Sequence, residues 1–321
     1  MPVWRNVVPA AVLAGAAALP LVIPGGFYHN VMAQMAAYSI AAIGLNLLVG
    51  VAGQISLAHG AFMAIGGYTT AFLTLKAGLS PLVGVPLGGA LAALVGFLLG
   101  LPALRLHGHF LALATLSFGA AVPQVALKWD AVTGGAMGLS PARFPSDRAA
   151  YWAILGVLAG LAWVADNLVG SRPGRALLAL RDSEVAAQAM GINLAWAKTG
   201  AFALSAFYAG IAGALATHLA GYISPQVFTL LTSFQLLAAI VVGGLGSIAG
   251  AITGAVLLTY LPFQFSRSMG WASAIEGLAI IGCVIFLPQG LSSLGRRIHV
   301  GRLIDWGRKR AEEARFRRAA A

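Results

Sequence analysis

Charge is the scarcest commodity in this 321-residue chain: 9% of its residues are Asp, Glu, Lys or Arg, against roughly 25% in soluble domains. With 59% hydrophobic residues and a mean hydropathy of +0.86, that excludes a folded chain solvated by water on all sides. A single cysteine, Cys283, sits in an apolar run and excludes an intramolecular disulfide and a thiolate metal cluster. None of Lys76, Lys128, Lys198 and Lys309 follows a glycine, so the Gly-Lys pair of a phosphate-cradling loop is missing; any ATP that drives this chain is hydrolysed on another. The His-Glu-x-x-His metal helix and the Gly-x-Ser-x-Gly elbow are missing too. His107 and His109 fit an interfacial role better than a shared metal.

What is abundant is apolar sequence of spanning length. At about 20 residues per crossing, spans are expected at 7–24, 31–52, 55–75, 82–104, 109–128, 151–169, 199–219, 227–246, 247–265 and 272–289. The expectation is thus an all-α integral membrane protein with about ten crossings. Eight remain possible, because the pairs at 31–75 and 227–265 have almost no loop and suit broken or re-entrant helices. The chain divides into a membrane half at 1–169, a polar loop at 170–198, a second membrane half at 199–289 and a basic tail at 290–321. The first apolar run, interrupted by Pro9, Pro20 and Pro24, is expected to be a retained span rather than a cleaved signal.

Placing the N-terminus inside puts Arg5, Arg105, Arg172, Arg175, Arg181, Lys198 and nine tail cations in the cytoplasm, leaving Lys76, Lys128, Arg143, Arg148 and Arg267 outside. That obeys the positive-inside bias, so the net charge of +11 is mostly topology. The short basic loops lack the interleaved aromatics of a nucleic-acid platform, and no nucleic-acid partner is expected. The tail, with Trp306 and Phe316 among basic residues, suits anionic inner-leaflet lipid.

Two segments carry the functional signal. The stretch 43–68, IGLNLLVGVAGQISLAHGAFMAIGGY, places Asn46, Gln54, Ser56 and His59 among glycines at membrane depth, tolerable only where they face protein or a water-filled cavity. These four are candidates for a translocation path, with Asn46 two helical turns before Gln54 on nearly the same face; interhelical hydrogen bonding is the alternative for each. The loop SRPGRALLALRDSEVAAQAMGINLAWAK at 171–198 is expected to be helical from Pro173 until Gly191, which suits a left-handed cap. Leu178, Val185 and Ala189 would share a face that docks in a partner's groove or lies on lipid. A weak internal echo, VGVAGQISLA at 49–58 against VGGLGSIAGA at 242–251, hints at two related halves.

Glu184-x-Ala186-Ala187 followed by Gly191 resembles the Glu-Ala-Ala-x-x-x-Gly loop by which permeases of ATP-binding-cassette importers engage their ATPases. The wider chain is similar to the branched-chain amino acid permeases of the LivM type. The matching runs are GLNLLVGVAGQISLAHGAF at 44–62, LPALRLHGHFLALATLSFG at 101–119, TGGAMGL at 133–139, GRALLALRDSEVAAQAMGIN at 174–193, GYISPQVF at 221–228, GGLGSIAGAITGA at 243–255 and LPQGL at 287–291. The departures are Gln289, where a basic residue is usual, and the long basic tail.

The resemblance implies a type II importer permease fold in the bacterial cytoplasmic membrane, with both termini cytoplasmic. It also implies a second, LivH-like permease, two ATPase subunits and an extracytoplasmic solute-binding protein as partners. No cofactor is implied on this chain, since ATP would be bound by the partners. The cargo implied is a branched-chain or related hydrophobic amino acid, with urea or short amides as the alternative. Arg175, Arg181, Asp182, Glu184, Ala187 and Gly191 would then couple to the ATPases, with Arg181, Asp182 and Glu184 as the polar rim. Thr133, Gly134 and Gly135, on the outside, would dock the binding protein, form a gate, or simply make a turn. An ion-coupled secondary transporter would need ionisable residues deep in the membrane, for which only Glu276 and His59 qualify. An intramembrane enzyme would need a cluster that the dispersed acidic residues do not supply.

Overall fold

The computed structural model describes residues 26–103, 109–264, 277–278 and 290–291. The expected span at 7–24, that at 272–289 apart from residues 277–278, the basic tail beyond residue 291, and Arg105, His107, Glu276 and Cys283 lie outside the described residues.

Described residues are helical almost throughout. The helices are α1 (Gly26–Asn46), widening into a π-helical turn at Leu47–Val51, α2 (His59–Lys76), α3 (Pro81–Ala103), α4 (His109–Lys128), α5 (Asp147–Gly170), α6 (Arg172–Asp182), α7 (Glu184–Ala189), α8 (Leu194–Ala220), α9 (Leu230–Gly243) and α10 (Ile248–Gln264). Five stretches are long and apolar enough to cross a bilayer: Gly26–Val51, Pro81–Pro102, Phe110–Lys128, Asp147–Gly170 and Leu194–Ala220. The chain is therefore an all-α, multi-pass membrane protein. Where one span was expected at 55–75, residues 53–58 run without helix and α2 starts at His59. The pair expected at 227–265 is realised as the shorter α9 and α10.

The core is organised around α8, which packs against α3, α2 and α1; α1 in turn packs against α5, α10 and α9. Small residues make this closeness possible. A Cβ on Gly213 would collide with the backbone of Met63, and one on Gly66 with that of Gly210, so α2 and α8 touch main chain to main chain. With no hydrophobic drive between helices in lipid, such close packing is what holds spans together. Gly243 on α9 meets Gly250 on α10 in the same way. By contrast α4 and α5 lie at the rim, with Phe110, Leu113, Trp152 and Trp163 exposed.

Four helix starts are capped by polar side chains. Ser146, Ser171, Ser183 and Asn193 each accept a backbone N–H at the start of α5, α6, α7 and α8, contributing about 1 kcal/mol apiece. Arg172, Arg175, Arg181 and Lys198 gather at one end of the bundle, called here the loop end. At the opposite end, Lys76 Nζ donates to Ala131 O and Arg143 Nε to Leu219 O.

Candidate functional site

At the loop end the chain breaks helix twice, and the two breaks touch. Leaving α1, Ala52 N–H returns to Leu47 O (3.1 Å) and Gln54 N–H to Leu48 O (3.0 Å). Gly53, at φ +72°, supplies the left-handed step that this reversal needs. Asn46 and Gln54 therefore do not share a helical face, as an unbroken helix would have required: the helix ends between them.

Asn46 instead clamps the second break, the turn 244–247 between α9 and α10. Its Oδ1 accepts Gly246 N–H at 2.8 Å and its Nδ2 donates to Ser247 O at 3.1 Å. Ser56 and the start of α2 are similarly occupied. Ser56 Oγ accepts Ala58 N–H (3.3 Å), Thr115 Oγ1 of α4 accepts Leu57 N–H (3.1 Å), and Ser233 Oγ of α9 accepts Gly60 N–H (2.8 Å). Three hydroxyls, two from other helices, thus satisfy amides at the start of α2 that helix geometry leaves unpaired.

Gln54 and His59 behave differently. Gln54 is 5% exposed, and neither Oε1 nor Nε2 has a hydrogen-bond partner among the described residues. His59 is fully buried; its Nε2 lies 2.8 Å from Ser205 Oγ, which donates to Gly44 O, while Nδ1 is unpartnered. A buried polar atom without a partner costs about 1–3 kcal/mol. Such an atom calls for a water, an ion or a solute as its partner.

The polar loop forms two helices, where one unbroken run to Gly191 was expected. The cause is Ser183, whose extended backbone (φ −163°, ψ 118°) ends α6 and whose Oγ accepts Ala186 N–H to start α7. The run does end at Gly191, at φ +82°. The buried face is Leu177, Leu180 and Ala187, whereas Leu178, Val185, Met190 and Trp196 are exposed. Arg175 Nη1 donates to Gly170 O at 3.0 Å. Arg181 Nη1 donates to Gly50 O at 2.5 Å, and Asp182 is exposed. Glu184 pairs at 2.7 Å with Lys198, whose side chain is 3% exposed near the start of α8. Sequence reasoning treated Lys198 only as a topological charge, and Thr115, Ser205, Ser233 and Ser247 carried no signal at separations of 58 to 201 residues.

At the opposite end, Thr133 is buried, its Oγ1 donating to Ala126 O and Trp129 O (2.6 and 2.7 Å) and accepting Gly135 N–H (3.3 Å). Gly134 and Gly135 adopt positive φ in the turn. That turn leads to Leu139, which exchanges two 2.9 Å backbone bonds with Ile223. The TGGAMGL and GYISPQVF runs are thereby joined, with Met137 and Tyr222 exposed on top.

Comparison with known proteins settles the lineage. The family model described as branched-chain amino acid transport system / permease component matches residues 27–287. The chain belongs to that family. It is 34% identical over 318 residues to the high-affinity branched-chain amino acid transport system permease protein LivM of Salmonella typhimurium, covering 89% of this chain and 74% of that protein. It is 26% identical over 292 residues to the LivH permease protein of Escherichia coli, covering 81% and 91%. A shorter likeness, 29% over 169 residues, covers 50% of this chain and 48% of the autoinducer 2 import system permease protein LsrC of Salmonella choleraesuis. No solved structure matches the chain. As a member of this permease family the chain is a transport subunit, and among the described residues no group of three or more His, Cys, Asp or Glu could hold a metal.

Proposed function

We propose that this chain is the permease subunit of an ATP-binding-cassette importer for branched-chain amino acids in a bacterial cytoplasmic membrane. Its loop end faces the cytoplasm, as do both termini. Its partners are a second, LivH-like permease, two ATPase subunits and an extracytoplasmic binding protein. The likeness to LivM along most of both chains supports the cargo, and the LivH likeness supports a related second permease. The scarcity of charge at membrane depth suits a small zwitterion with an apolar side chain.

Within that assignment, Gln54 and His59 are the path residues, since they alone of the four candidates keep unpartnered polar atoms to offer a solute. Asn46 and Ser56 are structural. The ATPases dock on the α6–α7 pair, where Val185 and the Met190 that follows α7 present exposed apolar surface and Arg175 and Asp182 of α6 add exposed charge. The binding protein docks at the opposite end, on the surface that the Thr133, Gly134 and Gly135 turn supports.

The observation that carries this reading is the exposed apolar face on a helix pair anchored to both the α1 break and α8. Glutamates at Val185 and Met190, both solvent-facing, should leave the amount of chain in the membrane unchanged while releasing the ATPase subunits on co-purification. Full retention of those subunits in the Val185→Glu, Met190→Glu double variant contradicts the docking face.

A further inference from the structure

Arg181, on α6, is exposed over much of its length, but its guanidinium turns back toward the end of α1. The last carbonyls of α1 lack intrahelical partners and form the negative end of that helix. Leu47 O and Leu48 O are taken by the chain itself, and Gly50 O is taken by the Arg181 guanidinium. The same side chain fills the space left by two glycines. A Cβ on Gly53 would lie 2.9 Å from Arg181 Cγ, and one on Gly246 would lie 3.4 Å from Nη1. Gly53 belongs to the first break and Gly246 to the second, which Asn46 locks to α1. Leu177 and Leu180, buried on the same helix, seat α6 against the bundle, and the Glu184–Lys198 pair fixes α7 to α8.

We propose that Arg181 is the positioning residue for transport: it pins the cytoplasmic helix pair to both helix breaks, so that displacement of α6–α7 moves the backbone from which Gln54 projects. This rests on the importer reading above but assigns Arg181 an inward role in place of a rim contact with the ATPase. Packed elements with two discrete arrangements carry coupling of this kind. The guanidinium is suited to it, because its several donors hold a carbonyl while its planar body packs against glycine backbone.

The test uses the full complex, with both permeases, ATPases and binding protein, reconstituted in liposomes, and reads leucine moved per ATP hydrolysed. Arg181→Ala should lower that ratio about tenfold while the ATPases stay bound and keep hydrolysing. Arg181→Lys, which keeps a donor for Gly50 O, should recover part of it. Gly53→Ala should also lower the ratio, and by less in the Arg181→Ala background than alone, because the Arg181 Cγ that its Cβ would meet at 2.9 Å, and the Gly50 contact it disturbs, are then gone, although Arg181 Cα and Cβ at 3.1 Å remain. An unchanged ratio in Arg181→Ala, loss of the ATPases from that variant, or purely additive penalties overturns the proposal. Should Arg181→Ala fail to reach the membrane, Arg181→Lys and Gly53→Ala decide the matter: normal ratios in both overturn it. Failure of the wild-type complex to couple leucine uptake to ATP would instead sink the importer reading itself.

Discussion

Two glycine-rich segments that echo each other in sequence, 49–58 and 242–251, meet at the loop end yet satisfy their polar groups in opposite ways. The turn 244–247 is closed: Asn46 takes both Gly246 N–H and Ser247 O, and Gly243 lies against Gly250. The stretch 53–58 pairs its own backbone through Leu48, Ser56 and Thr115 but leaves the Gln54 amide and His59 Nδ1 buried and unpartnered. A closed turn has its polar groups paired within the protein, whereas a buried carboxamide without a protein partner carries a penalty that a water or a polar solute relieves. Similar glycine patterns thus accompany a fully paired turn in one segment and unpartnered side-chain atoms in the other, the contrast on which the proposed path rests.

That contrast can be broken by substitution, taken here from the largest expected change in stability to the smallest. Gly243→Val should drive a branched side chain into the Gly250 backbone and cost about 3 kcal/mol, seen as an early melting transition in detergent and little chain in the membrane. Asn46→Leu, similar in size, leaves Gly246 N–H and Ser247 O unpaired. It should cost about 2 kcal/mol in the same melting assay. Thr115→Val removes one acceptor at the start of α2 and should cost about 1 kcal/mol. Gln54→Leu sharpens the comparison most. With no bond to lose, it should leave melting unchanged to within about 0.5 kcal/mol or raise it, yet abolish most leucine uptake. If Gln54→Leu melts early and transports normally, Gln54 is structural and the path lies elsewhere.

The broad architecture was legible because bilayer thickness fixes how long an apolar run must be, and the runs at 82–104, 109–128, 151–169 and 199–219 reappear as α3, α4, α5 and α8. The near-absence of loops at 31–75 and 227–265 flagged both broken pairs. What the pattern did not show was where each break falls. Gly50, Gly53, Gly60 and Gly66 look alike in sequence, and only at Gly53 is the chain turned by positive φ. Ser183 was hidden for a related reason: in an Ala- and Leu-rich run a lone serine is compatible with helix interior, and only its cap bond to Ala186 shows the interruption. The partners of His59, Asn46 and Glu184 depended on helices meeting across long stretches of sequence, which no local spacing encodes.

The central claim is that this chain is a gate moved by nucleotide hydrolysis on other subunits through α6–α7. Its most direct test is leucine accumulation in liposomes containing the permease chains, measured with and without the ATPase subunits and ATP. The account predicts accumulation above the external concentration only with ATPases, ATP and loaded binding protein together; accumulation by the permease chains alone, driven by an ion gradient, would contradict it.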